Sequence, residues 1–201
     1  FIADTFEATI NHSTANINVG IAANATSTSN NAWNVQLVNP SETDTKQVWT
    51  FKYNAADGSY RIINKAYPKA AIDTSGIAIT NSTNIATYTN TGSDDAHRRW
   101  FLFDKGDGKY VISPAHSSGK VMDISGGGKT AGKNVQLYTY NATPAQIFTL
   151  SCYIPTAIKD VVFDVDFYRS EHYSNYDVYK LSNSELYKHF LTRGLFAGMQ
   201  G

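Results

Sequence analysis

One pattern is written into this chain three times at a single spacing. Asn34, Asn84 and Asn134 open the stretches "NVQLVN", "NIATYT" and "NVQLYT", fifty residues apart each time. Tyr60 and Tyr110 keep the same interval, as do Asp73 in "AAIDTSG" and Asp123 in "VMDISGG". Trp49, Trp100 and Phe148 close the three copies at nearly that distance. A period of this length marks a repeat architecture, in which each unit is one supersecondary block unable to bury its apolar face alone.

Within the second copy four short strands are expected, Tyr60–Asn64, Ala70–Thr74, Asn84–Thr89 and Arg99–Phe103. Clusters of Gly, Asn, Asp and Ser separate them, and nothing inside a unit has helical periodicity. Three such units sharing one core about a pseudo-threefold axis predict an all-β fold, the β-trefoil: a closed barrel without edge strands, capped by three hairpins. A propeller requires more blades, and a solenoid of three units would lack caps. The expected organisation is a trefoil over residues 1–152, with repeats of about 1–54, 55–104 and 105–152. A linker over 153–162 and a short α-helical segment over 163–201 complete it.

Charge argues against two classes of partner. Seventeen basic and seventeen acidic residues cancel, so nothing attracts nucleic acid or an anionic membrane. The abundance of Asn, Thr, Ser, Gly and Tyr suits strands joined by many turns and a surface that hydrogen-bonds. The single cysteine, Cys152, precludes a disulfide within the chain and reads as a small buried apolar group. No apolar run reaches membrane-spanning length and no signal peptide is seen; a start at Phe1 suggests a processed or cut product. No Ser-His-Asp order, nucleophile elbow, paired carboxylates or metal constellation stands out, so neither catalysis nor a cofactor or metal is expected, and a monomer is.

The closing motif of each unit stands as Gln47-Val48-Trp49, Arg98-Arg99-Trp100 and Gln146-Ile147-Phe148. Together with "NVQLY" and the Ile-Asp or Met-Asp step, it resembles the Gln-x-Trp pattern of ricin B-type lectin trefoils, of the carbohydrate-binding module family 13 kind, over residues 1–152. The resemblance implies non-catalytic sugar binding by an Asp near the start of a unit and an aromatic about fifteen residues later. A carboxylate takes hydrogen bonds from adjacent hydroxyls, and a flat ring covers the C–H face of the sugar. Asp123 with Tyr138 and Asp73 with Tyr88 fit those positions. Gln136 is expected to support the third pocket from its strand. The family places an Asn before the Gln; here Ala145 and His97 stand there, leaving Asn141 and His97 as substitutes. In the first unit Asn18 is taken for the Asp position and Val38 for the aromatic one, so no site is expected there. Asp73 and Asp123 also fit turn caps, and Tyr88 and Tyr138 cross-strand packing. His97-Arg98-Arg99 reads as a solvated strand start.

After Pro155 the pattern changes. Two short helices are expected, about Asp164–Tyr173 and Ser184–Thr192, the second opened by the capping box Ser182–Glu185. "FDVDFYRSEHYSNY" with "HFLTRGLFAGMQG" resembles a short helical repeat at the ends of secreted or wall-associated clostridial proteins, which implies a fragment of a longer, secreted or cell-surface bacterial protein. Asp164, Asp166, Glu171 and His172 read as helix N-terminal residues rather than metal ligands. The reading is therefore a glycan-binding module, for galactose- or xylose-type sugars, that targets an attached enzyme or adhesin. The alternative is a structural or protein-interaction trefoil without a sugar site.

Overall fold

The computed structural model describes residues 5–22, 31–90 and 95–153. The expected linker and tail helices, with their acidic residues, and the side chain of Cys152 lie outside the described residues.

Twelve strands are present among the described residues. They are β1 (Thr5–His12), β2 (Asn18–Ile21), β3 (Val35–Val38), β4 (Val48–Asn54), β5 (Ser59–Asn64) and β6 (Ala70–Thr74), followed by β7 (Ile85–Thr89), β8 (Arg99–Asp104), β9 (Lys109–Pro114), β10 (Lys120–Ile124), β11 (Val135–Thr139) and β12 (Phe148–Cys152). Six of them close a barrel by antiparallel pairing in the order β1, β4, β5, β8, β9, β12 and back to β1. Three hairpins, β2–β3, β6–β7 and β10–β11, cap it. This is the β-trefoil. Closure pairs each barrel strand on both sides and leaves no barrel edge open to another chain.

Local sequence explains the inward faces. In β1 the alternation Phe6, Ala8, Ile10, His12 is buried while its neighbours are more exposed, the period-2 signature of a half-buried strand. Trp49, Trp100 and Phe148 are fully buried in one core with Ile10, Ile62, Ile112 and Leu137. The two indoles keep their N–H groups satisfied: Trp49 Nε1 donates to the Val19 carbonyl at 2.9 Å and Trp100 Nε1 to the Ile72 carbonyl at 3.2 Å. Phenylalanine in the third copy needs no such acceptor.

The fifty-residue spacing has a direct physical meaning at the pseudo-threefold axis. Asn34 Nδ2 donates to Asn134 Oδ1 at 2.9 Å, Asn134 Nδ2 to Asn84 Oδ1 at 2.8 Å, and Asn84 Nδ2 to Asn34 Oδ1 at 3.0 Å. The three amides form a closed ring in which each donates once and accepts once. Backbone bonds repeat the symmetry, from Leu37 N–H to Lys133, Thr87 N–H to Trp33 and Leu137 N–H to Thr83, all at 2.8 Å.

Candidate functional site

The third hairpin carries the most complete constellation. Asp123 on β10 lies directly across from Gln136 on β11, and Val121 across from Tyr138. Gln136 and Tyr138 are two residues apart, so both project from the face that carries Asp123. Gln136 Nε2 donates to Asp123 Oδ1 at 3.0 Å, and Gln146 Nε2 donates to Asp123 Oδ2 at 3.0 Å. Gln146 reaches the carboxylate because a 3-10 turn, Pro144–Gln146, folds back under the hairpin. It is fixed there by donating to the Thr139 carbonyl at 3.0 Å and accepting from the Asn141 N–H at 2.8 Å. Asn141 closes its own turn, its Oδ1 accepting from the Thr143 N–H at 3.1 Å and the Thr143 hydroxyl at 2.8 Å.

An open cavity of about 430 Å³ has Asp123, Gln136, Tyr138 and Asn141 on its walls and His12 and Lys129 alongside. Asp123 is only 6% exposed. Burial pushes its carboxyl above the usual carboxylate range, and the two glutamine amides act in the opposite direction. Each carboxylate oxygen holds one amide hydrogen and keeps lone-pair capacity for a further donor. Chemically, the arrangement accepts two hydroxyls from one ligand edge beside a half-buried aromatic ring.

The second hairpin brings Asp73, Tyr88 and His97 together but fills the space between them. Arg98 Nε donates to Asp73 Oδ2 at 2.8 Å and Arg98 Nη1 to Asp95 Oδ2 at 3.2 Å. The guanidinium carbon also stands 5.4 Å from the centre of the Tyr88 ring, within cation–π range. His97 Nε2 is 3.7 Å from the same carboxylate oxygen. Arg98 is 8% exposed, which corrects its reading as part of a solvated strand start: a buried guanidinium requires a partner, and Asp73 is that partner. Ala86 faces Asp73 where Gln136 faces Asp123.

In the first hairpin the register corrects the expected equivalence. Gly20, not Asn18, lies across from Gln36, the position matching Ala86 and Gln136. The indole bonds agree, since Trp49 reaches Val19 and Trp100 reaches Ile72, in each case the residue before that position. Asn18 instead lies across from Val38 and donates to Gln47 Oε1 at 2.5 Å. A Cβ at Gly20 would meet Val38 Cγ2 at 2.9 Å and Gln47 Cβ at 3.1 Å, so no carboxylate fits there without shifting its neighbours.

Three participants were not read from the sequence as site residues: Gln146, Arg98 and His12. Gln146 and Arg98 were visible only as members of the closing motif. His12 was signalled by a polar residue at an inward position of an alternating strand. Among the described residues no group of three His, Cys, Asp or Glu side chains is placed to hold a metal ion.

Comparison with known proteins bears on the fold. A family described as ricin-type β-trefoil lectin domain-like matches residues 45–138. A designed threefold-symmetric protein, ThreeFoil, superposes with a TM-score of 0.64 at 24% identity, covering 72% of this chain and 96% of that one. An exo-β-1,3-galactanase from Clostridium thermocellum superposes at 0.63 with 20% identity over 77% of this chain; only 31% of the galactanase is covered. The Macrolepiota procera ricin B-like lectin, solved with lactose, gives 0.58 at 16% identity, over 72% of this chain and 93% of the lectin. No curated protein matches the chain significantly. At these identities the structural likeness establishes the β-trefoil fold, and residues 45–138 within it are similar to the ricin-type β-trefoil lectin domain-like family.

Proposed function

We propose that this domain binds carbohydrate without catalysis, through the cavity of the third repeat. The observation that carries the reading is the state of Asp123: a nearly buried carboxylate, oriented by Gln136 and Gln146 and opening beside Tyr138 into unfilled space. Asn141 borders the same space and contributes an amide N–H₂. In the second repeat Asp73, Tyr88 and His97 stand in a cleft occupied by the chain's own Arg98, and the first repeat has no carboxylate to offer. One working site of this shallow kind at millimolar affinity is worth only about 4 kcal/mol. Retention on a surface then depends on other modules or on several copies of the chain.

The neighbours support a galactose-type sugar as the first ligand to try: one is a lectin solved with lactose, another a galactanase much longer than this chain. By the same reasoning the domain serves as a targeting module of a secreted or cell-surface bacterial protein, holding an enzyme or adhesin against glycans. A glycan array, followed by NMR titration of each hit, tests the reading. Asp123→Ala and Tyr138→Ala are expected to abolish retention while leaving the melting transition nearly unchanged. A blank array with the unmodified chain, or undiminished binding by both variants, overturns it.

A further inference from the structure

One wall of the third-repeat cavity comes from the first repeat. His12 ends β1 at the last inward position of its alternation and is 3% exposed. Its Nδ1 accepts a hydrogen bond from the Thr14 backbone N–H at 3.2 Å. A backbone N–H can only donate, so the neutral ring carries its proton on Nε2. That Nε2–H is buried and has no hydrogen-bond partner, in a residue that lines the cavity holding Asp123. Buried donors in native proteins are nearly always paired, and an unpaired one within a cavity-lining residue is a group in want of an acceptor.

The rest of the cavity restricts what that acceptor is. Asp123 consumes donors, so it takes hydroxyls. Lys129, exposed on the loop that follows Gly126 and Gly127, lines the same cavity, and its positive charge is close enough to act on the His12 ring. Burial first and this charge second push the imidazole below its ordinary range, which keeps it a neutral donor at physiological pH. On one side, then, stands a hydroxyl-accepting carboxylate, and on the other a neutral N–H donor beside an ammonium group.

We propose that His12 is a specificity-determining residue of this cavity, donating from Nε2 to a carboxylate oxygen of a uronic acid whose hydroxyls are held by Asp123, with Lys129 as the counter-charge. The inference rests on the carbohydrate-binding reading above and adds the class of sugar and two residues that select it.

Galactose and galacturonic acid, as methyl glycosides, differ only in carrying a hydroxymethyl group or a carboxylate, and so isolate the contribution. NMR titration of the ¹⁵N-labelled chain at pH 7 is expected to give a preference of about tenfold for the galacturonate, the scale of one charge-assisted hydrogen bond. The Nε2 resonance of His12 should shift with galacturonate and much less with galactose. His12→Phe is expected to bring the affinity ratio close to one. Lys129→Met does the same in part, and as a change on an exposed side chain it keeps the test alive if His12→Phe fails to fold. Galactose bound as tightly as galacturonate, or a preference that survives in the folded variants, overturns this inference alone. Binding of neither glycoside, with a blank glycan array, overturns the carbohydrate reading with it.

Discussion

The asparagine ring on the pseudo-threefold axis makes an arithmetical prediction. Asn34, Asn84 and Asn134 share three hydrogen bonds of 2.8–3.0 Å, and every residue takes part in two of them. Replacing any one by Ala therefore removes two bonds, replacing two removes all three, and replacing the third removes nothing further from the ring. With about 1 kcal/mol net for each bond, the expected losses are about 2 kcal/mol for a single variant, about 3 for a double and about 3 for the triple. Independent side chains would instead give about 2, 4 and 6. Urea unfolding at 25 °C distinguishes the two series, provided the m-value stays constant across variants. Losses that add linearly, or a single replacement costing under about 0.5 kcal/mol, would show that the amides do not act as a closed ring.

Two further outcomes concern the binding sites. Replacing Arg98 and Ala86 together by Gln recreates around Asp73 the two amides that surround Asp123, and frees the face of Tyr88. The number of sugars bound per chain is expected to rise from one to two by NMR, and stability to fall by no more than about 3 kcal/mol because the amides replace part of the buried ion pair; one sugar per chain in the folded variant refutes this. As pH falls, binding should be lost above the pH at which an ordinary aspartate protonates, because the Asp123 carboxyl is raised and its protonation removes an acceptor. Stability follows a different course. His12 and His116 have folded-state values pushed below 6.5, mainly by burial, so their contribution is full above 6.5 and is lost as the pH drops through the values they hold in the folded state. Asp123 has the opposite sign, its contribution being present below 3.8 and lost as pH rises through its raised value. A binding curve and an unfolding curve that share one acid midpoint would contradict this separation.

The fold was legible because its determinants are local and repeated. Strand alternation and a closing aromatic can be read one unit at a time, and β5 to β8 begin and end within one residue of their expected bounds. The first hairpin was misaligned at Asn18 because more chain separates β2 from Asn34 than separates β6 from Asn84. Only the cross-strand register, which no single strand encodes, identifies Gly20 as the counterpart of Asp73. Arg98 was misread for a related reason. A run of His-Arg-Arg looks solvated until the fold brings a buried carboxylate from another strand to meet it. His12 was out of reach of the repeat argument altogether, since it completes a wall belonging to the third copy from a strand of the first.

The three copies also explain why fold and site diverge at different rates. The closing aromatics are fully buried and answer to packing, and the half-buried axis amides answer to one another, in all three units. The hairpin positions answer instead to the problem of holding a nearly buried carboxylate. In the first copy Gln47 keeps the loop-closing role, donating to the Asn39 carbonyl at 3.2 Å and accepting from the Ser41 N–H at 3.1 Å, as Gln146 does with Thr139 and Asn141, and meets the Asn18 amide in place of a carboxylate. That glutamine is thus a clamp on the loop first and a carboxylate donor second. Where no carboxylate stands, as at Gly20, the clamp suffices and Val38 fills the space. Where Arg98 replaces the clamp, it pairs with Asp73 Oδ2 and stands over the Tyr88 ring, while Asp73 Oδ1 is left without a hydrogen-bond partner among the described residues. At Asp123 the buried charge is partly compensated on both oxygens by neutral amides that leave lone pairs open. Its raised carboxyl pKa and its capacity for two hydroxyls are consequences of that same incomplete compensation.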